Sequence, residues 1–113
     1  MSAYTLKQFA PVTTLGTSAS TLYTVTAPAT SAVVKQLLIA NYSASSATVT
    51  VNIVVLSGTA GNANTVVPAV AIGANSTITL DITQVINVGG FIAALASAGS
   101  SINIMISGYE VVA

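Results

Sequence analysis

No cysteine and no histidine occur among the 113 residues of this chain, and only four side chains carry charge: Lys7, Lys35, Asp81 and Glu110. Each absence closes off a class of chemistry. Without cysteine there is neither a disulfide framework nor a thiolate metal site, so the redox compartment leaves no mark on the chain. Without histidine or cysteine, Ser/His/Asp triads and Cys/His dyads cannot be assembled. One Asp and one Glu make at most a single carboxylate pair. Asp81 falls on a regular strand and Glu110 near the C-terminus, with nothing local to shift either pKa. No Asp/Asn-rich loop has calcium-binding spacing, and Gly58-Thr59-Ala60-Gly61 lacks the Lys-Ser/Thr ending of a phosphate loop. The expectation is a protein that is not an enzyme and has no metal or other cofactor. Two basic residues cannot neutralise a phosphate backbone, which excludes nucleic acid as a partner.

Scarcity of charge also bears on the surface. Net charge is zero and mean hydropathy is +0.87. A folded monomer of this size would expose roughly 5,700 Å², on the order of one charge per 1,400 Å². Soluble monomers carry more charge than this, so much of the exterior is expected to be covered by copies of the chain or by a partner. A Ser/Thr/Asn surface that dissolves without charge is the competing account. Membrane insertion is a third, because residues 82–109 are uncharged and long enough to cross a bilayer. Thr83, Gln84, Asn87, Gly89, Gly90 and Asn103 argue against it. The first seven residues show no basic region followed by an apolar run, so no secretory signal is expected. The chain then stays in the cytoplasm where it is made, or leaves inside a larger particle.

What is present is β-strand vocabulary. Residues 32–56 hold two apolar, β-branched runs joined by the polar set Asn41-Tyr42-Ser43-Ala44-Ser45-Ser46. In the second run Val49, Val51, Ile53 and Val55 fall on one side and Thr48, Thr50 and Asn52 on the other, a period of two that no helix uses. The stretch reads as a central β-hairpin. In the first run, residues 33–40, alternation is blurred and both faces look apolar, so Lys35 has either to snorkel to water or to pair with an acid. Pro11 and Pro68 place their strands at edges. Residues 76–83 alternate most clearly, with Ile78, Leu80 and Ile82 inward and Thr77, Thr79, Asp81 and Thr83 outward. Residues 84–90 read as a connection, residues 91–96 as a strand rather than a helical turn, and residues 101–112 as the closing strand. The sum is an all-β chain, a single antiparallel β-sandwich, jelly-roll-like, of about eight strands. Residues 1–16 are expected to form an N-terminal arm or edge strand, and residues 17–113 the sandwich domain.

Tyrosines are the natural anchors on such a surface, since each offers a large apolar ring with a polar tip. Tyr4, Tyr23, Tyr42 and Tyr109, with Phe9 and Lys35, are the interface candidates. The same tyrosines, beside Asn and Ser donors, would also suit a saccharide.

Three stretches together carry a resemblance: Val33-Val34-Lys35 running to Asn41-Tyr42-Ser43-Ala44, Val85-Ile86-Asn87-Val88-Gly89-Gly90, and Ile106-Ser107-Gly108-Tyr109-Glu110. Over residues 22–112 the chain resembles small all-β structural proteins of tailed bacteriophages, although Gly90 stands where the pattern carries an acid. The resemblance implies a virion accessory protein, a capsid decoration or cement protein or a head-fibre or tail component, with no active site. Its partners would be itself, as a homotrimer, and the major capsid protein or other virion proteins. A tail, neck or fibre component that binds a carbohydrate receptor is the alternative, as is a self-polymerising surface or filament subunit.

Overall fold

The computed structural model describes residues 3–112, and they form eight strands: β1 (Ala3–Thr14), β2 (Ser20–Thr24), β3 (Ala29–Asn41), β4 (Ala47–Val54), β5 (Thr65–Ile72), β6 (Ser76–Asn87), β7 (Phe91–Ala96) and β8 (Ile102–Val112). They pair into two four-stranded antiparallel sheets, ordered β1-β8-β3-β6 and β2-β7-β4-β5. The nesting explains the order. β1 pairs with β8, β2 with β7, β3 with β6 and β4 with β5, as in one long hairpin. Rolling that hairpin up adds the β3–β8 and β4–β7 pairs, which makes the fold a jelly-roll sandwich. The molecule measures 49 × 26 × 18 Å.

The core lies between the sheets and is built from β-branched and leucine side chains that alternation turns inward. On β8, Ile102, Ile104 and Ile106 are buried in one apolar cluster with Val49 and Val51 of β4 and Ile92 of β7. Each such side chain contributes about 1.5–3 kcal/mol on burial. At Gly108 the strands β8 and β3 approach so closely that a Cβ would lie 2.0 Å from the Val33 carbonyl oxygen. Only glycine fits there.

The central hairpin expected over residues 32–56 is not formed. β3 and β4 lie in opposite sheets, and the chain crosses the sandwich between them. The physical reason is that a period of two identifies one apolar face per strand but does not say whether two such faces lie side by side or opposed. Asn41 makes the crossing possible. Its buried amide donates to the carbonyls of Ser45 and Ile72, and its oxygen accepts from the amide and the hydroxyl of Ser43.

The blurred alternation of β3 also resolves. The register shifts at Lys35 against both neighbours, so Val34 and Leu37, three residues apart, both face the core while Lys35 and Gln36 face out. Residues 84–90 are not simply a connection, because β6 continues to Asn87 and pairs with β3 as far as Ser31. Pro11 and Pro68 sit where ladder donors are dispensable, on edge strands β1 and β5. Residues 3–14 pair with β8 along their length; Met1 and Ser2 lie outside the described residues.

Candidate interaction surface

Because β1 and β8 keep one register from Ala3 to Gln8, their outward side chains there form a continuous row on the outer face of the β1-β8-β3-β6 sheet. Tyr4 stands opposite Val111, Leu6 opposite Tyr109, and Gln8 opposite Ser107. Leu6 is 88% exposed and Tyr4 71%, far from what the hydrophobic effect favours for such side chains. The Tyr4 and Tyr109 rings meet edge to face at 5.8 Å. Val12 extends the exposed apolar area beside half-buried Leu38 and Met105, which stand opposite each other, and exposed Val85 lies across Val33 from Tyr109. A shallow hollow among Leu6, Gln8, Tyr109 and Ser107 is bounded by Lys35. That lysine is exposed, its ammonium 3.5 Å from the Thr83 hydroxyl, so it reaches water rather than an acid.

Beneath this face lies the only ion pair among the described residues. Glu110 turns inward near the end of β8, and its Oε2 accepts from Lys7 Nζ at 3.2 Å and from the Tyr23 hydroxyl. Lys7 Nζ also lies 5.7 Å from the centroid of the Tyr23 ring, which stacks at 4.4 Å on Phe9. The trio therefore ties β1 and β8 of one sheet to β2 of the other. The Tyr23 hydrogen bond, with the hydrogen bond and charge of Lys7, holds the Glu110 carboxyl below its usual range, against the opposing effect of burial. Burial, then the hydrogen bond and charge of Glu110, push the Tyr23 phenol well above its ordinary value. The expectation that nothing local shifts Glu110 is thus corrected: its partners come from strands remote in sequence. Asp81, on the outer side of β6, accepts from Gln36 at 3.2 Å. It faces away from Glu110, so the two acids form no pair. Among the described residues no three His, Cys, Asp or Glu side chains gather as a metal site would require.

The six sequence candidates divide by position. Tyr4, Tyr109 and Lys35 share the outer face, and Tyr23 lies under it. Phe9 is an interior residue of the folded chain, which takes it out of a neighbour's reach. Tyr42 is exposed but follows Asn41 at the far end of β3, remote from Tyr4. Sequence reasoning passed over Leu6 and Val12, although the row Tyr4, Leu6, Gln8 was readable once β1 was taken as a strand. It also passed over a second exposed apolar group, Val55, Leu56, Val85 and Val88, around a groove floored by Val54 and Ile86. Here Leu56 occupies the space a side chain at Gly89 would fill, and Gly89 has φ +88°. The signal for this group is an apolar stretch too long for one face: Ile53, Val54, Val55 and Leu56 are consecutive, so some must face outward.

On the other sheet, β4 is covered by its own chain. Residues 58–64 fold back over the outer face of β4, where the Asn52 amide donates to the Gly61 carbonyl, Asn64 Oδ1 and Thr65 Oγ1. Asn52, expected on the polar side of its strand, is 3% exposed for that reason.

No protein-family model matches the chain, and no curated protein shows significant similarity to it in sequence. Solved structures do match. A chain of the T13 particle of infectious bursal disease virus superposes with a TM-score of 0.63 at 13% identity, over 98% of this chain and 31% of that one. A chain from the structure of the Gx strain of the same virus gives 0.59 at 16% identity, over 99% of this chain and 33% of that one. The present chain thus spans about a third of the length of these neighbours. At such identities the likeness is one of fold.

Proposed function

We propose that this chain is a non-enzymatic structural protein of a virus particle, in which copies pack against one another and against the shell. The observation that carries the reading is the uncovered outer face of the β1-β8-β3-β6 sheet, where Tyr4, Leu6, Val12 and Val85 stand in water on a molecule with four charged side chains. A face of this kind is suited to burial against a neighbour. The jelly-roll topology, shared over the whole chain with chains of virus particles, supports the same reading.

The more specific proposal is a capsid decoration or cement protein of a tailed bacteriophage, working as a homotrimer with Tyr4, Leu6 and Tyr109 as anchors. The phage assignment rests on the three sequence stretches that carry the resemblance. Its mechanism is additive: each copy buries area across joints between capsid subunits and stabilises the joined state by mass action. Residues 1–16 would act through the outward row of β1, which remains paired to β8 in the free chain.

Electron cryo-microscopy of the particle that carries this chain tests the proposal. Closed oligomers seated on the shell, with the Tyr4–Leu6 row at a contact, are expected; chains found as single, unattached molecules would remove it. A receptor-binding reading is favoured by one observation, the pairing of exposed Tyr4 with half-buried Tyr109 beside Gln8 and Ser107. Saturable binding on a glycan array that Tyr109→Ala abolishes would decide for it.

A further inference from the structure

The four sheet edges of this sandwich are not equivalent. β1 carries Pro11 and two register shifts, and β5 carries Pro68, two register shifts and Ala69 at φ 46°. β2 is five residues long and bears a shift. Prolines, irregularities and shortness are the devices by which natural edges resist pairing with another chain. β6 is the least guarded of the four. It is twelve residues long, contains no proline, and keeps one register with β3 from Ser76 to Asp81; its single shift comes after that, opposite Lys35. Among the described residues no strand pairs with its outer edge. A second observation points the same way. Leu37, Ile39, Ile104 and Ile106 of the inner strands are buried, whereas Ile78, Leu80 and Ile82 of β6 remain half-exposed, because little of β5 closes that side of the sandwich.

We infer that the β6 edge is a pairing site for a second copy of this chain, the two β6 strands running antiparallel about a two-fold axis at Leu80. The side chains choose both the partner and the register. Centred on Leu80, the pairing sets Ile78 against Ile82 and Thr77 against Thr83, and the one charge of the strand, Asp81, against Thr79. Centring on Asp81 would oppose two carboxylates, which is destabilising. The paired edges form one continuous eight-stranded sheet and cover the half-exposed isoleucines. This contact is isologous, so it closes at two copies. It uses an edge and leaves the Tyr4–Leu6 face free, and it does not depend on the virion reading.

The chain has no cysteine, so a single introduced thiol reports its own neighbour. Opposed residues of an antiparallel pair have Cα atoms about 4.5–5.5 Å apart, within disulfide reach. Mild oxidation of Leu80→Cys is expected to yield covalent pairs, while Val66→Cys on the guarded β5 edge stays single. Should Leu80→Cys fail to fold, mixing Thr77→Cys with Thr83→Cys, both at exposed positions, is expected to cross-link the two variants to each other at least tenfold more than either to itself. Thr79→Asp, which sets a carboxylate against Asp81 of the second copy, is expected to lower the yield at least tenfold, and Thr79→Lys to preserve it. Folded cysteine variants that pair no better than Val66→Cys, or equal yields from the two Thr79 variants, would overturn the inference. Cross-linked pairs from a protein that never joins a particle would support it while removing the proposed function.

Discussion

The two sheets solve the same problem in opposite ways. On β2-β7-β4-β5 the outer side of β4 is covered by residues 58–64, pinned through Asn52, so that Asn52 and Val54 are buried although they point away from the core. Among the described residues nothing covers the outer face of β1-β8-β3-β6 in this way, and its apolar row stays in water. A loop that satisfies its own backbone and side-chain donors makes a finished surface; a bare row of Tyr, Leu and Val makes one that a neighbour completes.

Gly108→Ala strikes the uncovered sheet itself, because the added Cβ would force β3 and β8 apart. The expected loss is about 4 kcal/mol or more, read from chemical denaturation. Asn52→Ala removes three hydrogen bonds that hold the loop to β4 and is expected to cost about 1–3 kcal/mol. Hydrogen exchange in residues 57–64 should rise with it, while the uncovered sheet keeps its protection. The double variant Tyr4→Ser, Leu6→Ser changes only the bare row. Stability should move by no more than about 0.5 kcal/mol, yet self-association measured by sedimentation should weaken at least tenfold. Equal effects of the Asn52 and Tyr4/Leu6 changes on association would erase the distinction between the faces.

Smaller effects come from the trio that joins the sheets. Since Glu110 titrates below its ordinary value in the fold, its contribution is present above the unfolded carboxylate pKa and is lost as pH falls through the lowered folded value. Tyr23 titrates above its ordinary value of 10.0, so stability is full below that pH and declines as pH rises beyond it. Glu110→Gln should remove the acid-side dependence at a cost of about 1 kcal/mol or less, because the Lys7 partner is half in water. Thermal melting against pH checks both limbs. Between about pH 5.5 and 8.5 association should be flat, since no unperturbed side chain of this chain titrates there; a sharp midpoint near pH 6.5 would contradict that.

How much of this was legible in the sequence follows from the range of each signal. Strand periodicity is local, so the eight strands, the inward set Ile78, Leu80 and Ile82, and the edge placement of Pro11 and Pro68 could be read directly. Sheet membership is not local, which is why residues 32–56 read as a hairpin when β3 and β4 face each other across the core. The burial of Asn52 depends on a loop that folds back, and the environment of Glu110 on Lys7, 103 residues away. Tyr4, Tyr109 and Lys35 were singled out as chemical types, but only the β1–β8 register shows that Tyr109 stands beside Tyr4 and Leu6 on one face.

Sedimentation velocity of the purified wild-type chain at micromolar concentration, run beside the Tyr4→Ser, Leu6→Ser variant, tests most directly whether the bare sheet is completed by neighbours. The expected result is a closed oligomer for the wild type and, for the variant, a smaller species that retains no contact beyond the β6 edge. A wild-type chain that sediments as a well-behaved monomer would contradict the account.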